Sequence, residues 1–476
     1  MNNVHRGNIN VLEASNDILR ENLRKGNITV SIYGLGHIGI ALASAWLLAG
    51  AKVIGVDMDK NKVRKLNEGL SPIQWEPNVP QIIHDAWSQG RVEATVNGVD
   101  ASRRSNVKIV AVPITIDFKR KKPNLESLIT VSKAIGKGLS KGDLVVIEST
   151  VPPGTTEEVV LKELERCSNM RVEEDFGLAY SPERVAEGRA LKDIIESYPK
   201  IVAGIGPKST RAISSLYKLI CKKGVYEVSS IKVAELEKVF EGVYRDVNIA
   251  LANELARLAR TLGVDYNEIR EAANSQPHCH LHMPGTGVGG ICIPLYPYFL
   301  KNIADKLNVK LELIMKARTI NKNMPKEVID LTLNFIRKLR IEDTNIKIAI
   351  LGLAFRGDIP DSRLSPTYSL VKQLIKLGYQ NVIVHDHLIK DDEILKRLGV
   401  ILTMRLEEAI KDANVIIVST DHSLYRKINL NYLLALAKKP TLIVDGRNVI
   451  EIGKDITLPK GVIYVGIGRG AIMGRP

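Results

Sequence analysis

The chain has 476 residues, 45% of them hydrophobic and 25% charged, with a formal net charge of +14. This length exceeds the usual single domain, and this balance excludes a disordered or collagen-like chain. Four cysteines without CxxC spacing exclude a disulfide scaffold, and no apolar run approaches the roughly 18–20 residues that span a bilayer.

Met1 to Lys25 is polar and helix-like and lacks the apolar core of a signal peptide, so the expectation is a cytoplasmic protein. Ile28 to Tyr33 reads as a strand. It enters Gly34-Leu-Gly36-His37-Ile38-Gly39 and an apolar helix to about Leu48. A second strand, Lys52 to Val56, ends at Asp57. Further strands are expected at Val107 to Val112, Leu144 to Glu148 and Ile201 to Ile205, separated by helical patterns. Such alternation predicts a mostly parallel, doubly wound sheet. The basic run Lys119-Arg120-Lys121-Lys122 before Pro123 reads as a loop.

From Ile231 to Leu262, Val233, Leu236, Val239, Phe240, Val243, Val247 and Leu251 recur at helical spacing and predict one long helix. More helix follows to about Leu339. A second α/β pattern places strands at Ile346 to Leu351, Val382 to His385, Val415 to Val418 and Thr441 to Val444. The expected fold class is α/β: two Rossmann-like, doubly wound domains joined by a long central helix and a helical middle domain. The boundaries read as 1–27 for an N-terminal helical extension, 28–215 and 336–476 for the two α/β domains, and 216–335 for the middle. The basic surface suits anionic small molecules, while 5% aromatics and no known module speak against nucleic acid.

Four segments carry chemistry. In Gly34-x-Gly36-x-x-Gly39 the glycines permit a tight turn, close approach of a pyrophosphate, and close packing of helix on strand. The helix N-terminus offers its N–H groups to phosphate. Asp57, ending the next strand, suits the ribose hydroxyls of NAD and repels the 2′-phosphate of NADP, with Lys62 one turn further on. Glu148-Ser-Thr150-Val-Pro-Pro-Gly154-Thr-Thr156 puts hydroxyls at a strand end, although turn chemistry explains the rest. Ser181-Pro-Glu183-Arg184-Val-Ala-Glu187-Gly188 in isolation reads as an ion-paired surface turn sooner than as a site. Gly285-Thr-Gly287-Val-Gly289-Gly290-Ile-Cys292-Ile-Pro294 sets a cysteine behind four glycines, with little bulk to keep a ligand from the thiol. Cys167, Cys221 and Cys279 read as inert thiols.

Together these segments resemble the UDP-glucose/GDP-mannose dehydrogenase family from about Ile28 to Gly470. The C-terminal half adds Gly352-Leu-Ala-Phe355-Arg356-Gly-Asp358, Asp361-Ser-Arg363-Leu-Ser365-Pro366, Val384-His-Asp386, Thr420-Asp421-His422 and Asp445-Gly-Arg447-Asn448. Ser-Pro-Glu-Arg-Val, Tyr244 to Glu254 and the cysteine motif look most like the UDP-N-acetylmannosamine dehydrogenase branch. The resemblance implies a four-electron oxidation of a UDP-hexose at C6 by two NAD⁺ in turn, through a thiohemiacetal and a thioester. It implies Cys292 as nucleophile, Lys238 as oxyanion stabiliser, Glu187 in acid–base work and Thr150 as a holder of water. The implied cofactor set is Gly34, Gly36, His37, Ile38, Gly39, Asp57, Lys62, Thr150 and Arg363. The implied substrate set is Glu183, Arg184, Lys238, Gly289 and Arg356. No metal is implied, and the family's dimer forms on the central helix.

Three positions depart from the family. Gly242 stands where many members carry Asn, Leu295-Tyr296 where many carry Lys-Asp or Val-Asp, and Ile291 where the acetamido branch often has His. Gly242 costs the helix about 1 kcal/mol relative to alanine and so reads as room for a ligand or a bend. Other readings stay open at this point. UDP-glucose is an alternative substrate. A one-step β-hydroxyacid-type dehydrogenase needs neither Cys292 nor a second α/β domain. A catalytically impaired sugar-nucleotide-binding paralogue fits the departures. His278-Cys279-His280-Leu-His282 would set three histidines on one strand face, as a transition metal requires.

Overall fold

Runs of Val, Ile and Leu bounded by glycine and polar turns pair as parallel strands buried on both faces, the pattern of a sheet covered by helices. The computed structural model describes residues 4–117, 122–452 and 457–474. The chain divides into two compact units, Met1–Glu241 with Tyr298–Val309, and Gly242–Pro297 with Lys310–Pro476.

The first unit holds strands β1 (Thr29–Tyr33), β2 (Lys52–Val56), β3 (Val92–Thr95) and β4 (Val107–Val110). After a separate antiparallel pair, β5 (Thr115–Asp117) and β6 (Lys122–Asn124), come β7 (Leu144–Ile147), β8 (Gly177–Tyr180), β9 (Lys200–Gly204) and β10 (Val225–Glu227). The sheet order is β10-β9-β8-β7-β4-β1-β2-β3, parallel except between β8 and β9. The order reverses at β1, so a crevice opens between the carboxyl ends of β1 and β4, where such sheets take their ligands. The helix His37–Leu48 buries Ile40, Leu42 and Trp46 in this unit's core. Of the basic run, Lys122 begins β6 and so is not loop, while residues 119–121 lie outside the described residues.

The N-terminal extension is part of this unit's core. Ser15 caps the helix Asn16–Arg24 by accepting from the Ile18 N–H, and Leu19 and Leu23 are fully buried. Arg6 pairs with one oxygen of the buried Asp143 at 2.9 Å, and the buried Lys108 pairs with the other. Burial lowers the Lys108 pKa to about 8, against the pull of Asp143. A second cation from the extension thus serves the same buried carboxylate as Lys108, whose own charge burial disfavours.

The second unit repeats the plan with β11 (Ile348–Leu351), β12 (Val382–His385), β13 (Ile401–Thr403), β14 (Val415–Val418), β15 (Thr441–Asp445), β16 (Val462–Gly466) and β17 (Arg469–Met473). Its order is β13-β12-β11-β14-β15-β16-β17, with only β17 antiparallel. The helices Tyr266–Asn274 and Glu312–Lys338 contribute Tyr266, Met324 and Val328 to this core. The long helix Ile231–Leu262 runs through the division between the units. Among the described residues no helix is long and apolar enough to cross a membrane.

If the extension is structural, Leu19→Ala should cost about 2–5 kcal/mol, the usual range for a buried leucine. The half-exposed neighbour substitution Ile18→Ala should stay within about 0.5 kcal/mol of wild type. Thermal melts of the two variants compare them directly, and equal melting temperatures would contradict the assignment.

Candidate active site

In the first unit the functional candidates gather at the carboxyl ends of the strands. Gly34 follows β1 in a left-handed conformation, and a side chain there would strike the Ala111 carbonyl beyond β4. Gly36 starts the helix His37–Leu48 without a side-chain cap. Apart from its chain neighbours, no atom lies within 4 Å of the place where a Gly36 Cβ would stand. The first-turn N–H groups thus have room for a phosphate to come close. Asp57 follows β2; its Oδ2 accepts the Leu35 N–H at 2.8 Å and Lys62 Nζ at 3.2 Å, and its Oδ1 accepts the Asp59 N–H. This carboxylate is fixed in orientation and still partly exposed, as a ribose ligand must be. Lys62, expected on the adenosine side, is paired with Asp57. The residues present fit an NAD dinucleotide.

Thr150 follows β7 and Glu183 follows β8, and a buried charge cluster joins their segments. Lys200 on β9 donates to Glu148 at 2.9 Å and to Glu183 at 2.5 Å, and Tyr217 donates to Glu148. Burial raises the Glu148 carboxyl to about 7, with Lys200 opposing and Glu183 adding to the rise. Burial opposes the Lys200 charge, yet the two carboxylates win and hold its pKa above the ordinary lysine value. The Ser181–Glu183 part of this segment is therefore not a surface turn, whereas Gly188 is exposed. Glu183 is buried, and Arg184 lies over the Tyr198 ring, 3.6 Å from Glu237. Glu187 and Thr150 are half-buried.

The long helix is tied to the Thr150 segment from below. Glu235 accepts the Gly154 N–H at 2.5 Å and the Thr156 N–H at 2.9 Å, and burial pushes its carboxyl up to about 7. One turn on, Lys238 is half-buried and 3.8 Å from Glu241. The proline–glycine turn at 152–154 thus has its amides satisfied by the helix that carries Lys238.

The second unit carries Cys292, Gly289, Arg356 and Arg363. Cys292 is exposed, whereas Cys167 and Cys279 are half-buried and Cys221 is buried. The glycine loop before it is packed tightly. Gly285 N–H donates to Asn253 Oδ1, which belongs to a buried chain running through Asn321 to Asp246. Thr286 donates to the Ser419 carbonyl beyond β14, and Gly290 N–H to the Arg363 carbonyl. Side chains at Gly289 and Gly290 would collide with Phe355. Close packing on the loops of the C-terminal sheet, more than ligand access, demands these glycines. Arg363 chelates Asp361 through Nε at 2.9 Å, and Arg356 is half-buried.

Two of the departures are one feature. A Cβ on Gly242 would overlap the Tyr296 ring, so the room expected there is filled by that side chain. Tyr296 is buried, and its N–H donates to the Cys292 carbonyl at 3.2 Å. The notch in the helix seats the residue that closes the turn bearing the cysteine.

The His280 and His282 rings lie 5.1 Å apart, but the histidines of 278–282 do not bring three ligand atoms together. Among the described residues the one set of three metal-type ligands within reach of each other is Asp358, His387 and His422. Two of its members, Asp358 and His422, are already engaged, while His387 Nδ1 has no hydrogen-bond partner among the described residues. His422 Nε2 donates to the buried Asp386, its Nδ1 accepts the Asp358 N–H, and Asp358 accepts from Ser423. The sequence passed over Lys200, Glu235 and Glu76. No motif marks any of the three, and only burial sets them apart.

Comparison with known proteins matches residues 28–221, 232–323 and 349–452 to the NAD-binding, central and UDP-binding domains of the UDP-glucose/GDP-mannose dehydrogenase family. A UDP-N-acetyl-D-mannosamine dehydrogenase of Pyrococcus horikoshii is 33% identical over 93% of this chain and 100% of its own length. A UDP-N-acetyl-D-glucosamine 6-dehydrogenase of Pseudomonas aeruginosa is 31% identical over 90% of this chain and 98% of its own. The solved structure of the Pyrococcus horikoshii UDP-D-ManNAc dehydrogenase superposes with a TM-score of 0.83, covering 93% of this chain and 99% of that one at 32% identity.

The notch makes a sign prediction. Gly242→Ala should lower the melting temperature of the wild-type protein, because overpacking of about 1–3 kcal/mol outweighs a gain of about 1 kcal/mol in helix propensity. In a Tyr296→Ala background the same substitution should raise it. The same sign in both backgrounds would refute the pairing.

Proposed function

Because this chain belongs to the UDP-glucose/GDP-mannose dehydrogenase family, whose NAD-dependent members oxidise C6 of nucleotide sugars, we propose that it converts UDP-N-acetyl-D-mannosamine to the uronate through a thioester on Cys292. The observation that carries the covalent step is the exposure of Cys292, alone among the four cysteines, at the end of a loop fixed to the C-terminal sheet. The choice of sugar is supported by the relatives named for it.

Held by the Gly34–Gly39 turn and Asp57, NAD⁺ would supply the hydride acceptor for each of two oxidations. The C6 alcohol loses a hydride and a proton and becomes an aldehyde. The Cys292 thiolate adds to that carbonyl, and the oxyanion takes up a proton to give a thiohemiacetal. Loss of a second hydride and the hydroxyl proton leaves a thioester, and water cleaves the C–S bond to release the carboxylate and the thiol. In sum, one alcohol, two NAD⁺ and one water give one carboxylate, two NADH and three protons. A thiolate both attacks an aldehyde and leaves well from an ester, which a serine alkoxide does not at neutral pH. In this reading the Lys238 ammonium stabilises each oxyanion and Glu187 moves the protons. Thr150 holds water, and Arg356 and Arg363 bind substrate and cofactor charge. Asp57 selects NAD⁺, and the enzyme works in the cytoplasm.

The proposed assembly is a homodimer on the long helix. Val233, Phe240, Tyr244, Leu251, Leu258 and Leu262 are all exposed. At the roughly 100° per residue of an α-helix they fall within about 40° of one another, one apolar stripe that the described residues leave uncovered. Leu251→Asp with Leu258→Asp should convert a dimer to a monomer by light scattering, and an unchanged mass would remove the stripe from the interface.

Activity is tested with NAD⁺ and a panel of UDP-sugars. UDP-N-acetylmannosamine should give two NADH per sugar and the highest kcat/KM. One NADH per sugar would support a single-step dehydrogenase, and none, with binding retained, a non-catalytic binder. A higher kcat/KM for UDP-glucose would overturn the choice of sugar and leave the chemistry standing. Cys292→Ser should lose uronate formation while still binding the UDP-sugar, and steady uronate from that variant would end the covalent reading.

A further inference from the structure

Glu187 sits between two anchored amides. The Ala186 N–H donates to Asp193 Oδ2 at 3.1 Å, and the Gly188 N–H donates to Glu76 Oε2 at 3.0 Å. Both acceptors are buried, at 3% and 2% exposure. Asp193 is local, a few residues further along the same segment. Glu76 is distant in sequence, in Trp75-Glu76-Pro77 ahead of the helix Val79–Ser88.

The Glu76 carboxylate reaches three ways. Its Oε2 accepts His37 Nε2 at 2.7 Å as well as the Gly188 N–H, and its Oε1 accepts the Leu191 N–H at 3.4 Å. His37 opens the helix whose N-terminus is the phosphate seat. One buried side chain therefore joins the dinucleotide turn to both ends of a short loop.

We propose that Glu76 is a positioning residue of the reaction, tying the cofactor-binding turn through His37 to the loop that presents Glu187. The inference rests on the acid–base reading of Glu187. Its physical basis is the peptide plane between Glu187 and Gly188. Holding the Gly188 N–H fixes that plane and so constrains the direction in which the Glu187 Cα–Cβ bond leaves the backbone. Gly188 is exposed, has a φ of +83° and has no atom within 4 Å of its Cβ position beyond its chain neighbours, so no side chain packs on it there. Without the carboxylate the Gly188 amide turns to water and Glu187 loses its aim. A glutamine keeps the bulk of Glu76, but its amide carries an NH₂ that confronts one set of the donors.

The test is a double-mutant cycle on the full chain, with UDP-N-acetylmannosamine and NAD⁺, following NADH. Glu76→Gln should lower kcat by about 10- to 100-fold, the scale of a displacement near 1 Å, with KM for the sugar nucleotide within about twofold. In a Glu187→Gln background the same substitution should cost nothing more, because the residue it positions is already disabled. Losses that multiply would overturn the inference while leaving the role of Glu187 intact. Wild-type kcat in Glu187→Gln alone would overturn the acid–base reading, and the inference with it. Glu76→Asp keeps the charge but is one methylene too short to span the three donors. It should reproduce the kcat loss and the non-additivity, and it replaces Glu76→Gln if that variant does not fold.

Discussion

Where a parallel strand ends, the chain turns away and its amides leave the ladder, and in this protein buried carboxylates receive many of them. An unpaired buried N–H costs about as much as a lost hydrogen bond, so each such loop needs an acceptor. Glu235 takes the amides of the proline–glycine turn beyond β7, and Asp193 and Glu76 take those around Glu187. Asp386 takes the Leu353 and Ala354 amides beyond β11. These loops carry Thr150, Glu187 and Arg356 among the functional candidates, so the requirement that satisfies the backbone also positions them.

The same topological position is used in two ways by the two sheets. Asp57 follows β2 and accepts one amide from the turn after β1, with its side chain 14% exposed. Asp386 follows β12 and is fully buried. Besides the Leu353 and Ala354 amides it takes the Leu388 N–H and His422 Nε2. Burial would raise that carboxyl, but the His422 hydrogen bond and the backbone donors hold it down at about 2. A saturated, buried carboxylate is a strut, whereas a partly exposed one can still bind a ribose. Two domains of one plan therefore need not hold the nucleotide alike.

The cluster of Glu148, Lys200 and Glu183 shows the cost of crossing from one strand end to the next without backbone pairing. Two carboxylates share one ammonium away from water, and the shared field lifts Glu148 and stabilises the charge on Lys200. Removing Lys200 would leave two like charges buried together, the arrangement a protein interior tolerates least. The ion pairs thus fix the spacing of the β7 and β8 loops, and with it that of Thr150 and Glu183.

The sequence by itself determined the architecture, because both signals are local. Periodicity marked the helix Ile231–Leu262 and the strands at Lys52–Val56, Val382–His385 and Val415–Val418. The glycine fingerprint with Asp57 marked the cofactor end of the first sheet. Short strands escaped. Gly177–Tyr180 holds a glycine and an alanine and is a strand because β7 and β9 flank it. Only the tertiary structure decided how the site residues are held. Glu76, Lys200 and Glu235 act on partners between 17 and 115 residues away, and no spacing within a segment encodes that. Gly242 and Tyr296 read as two losses along the chain. In space they are a notch and the ring that fills it, since steric fit is a property of the pair and not of either residue.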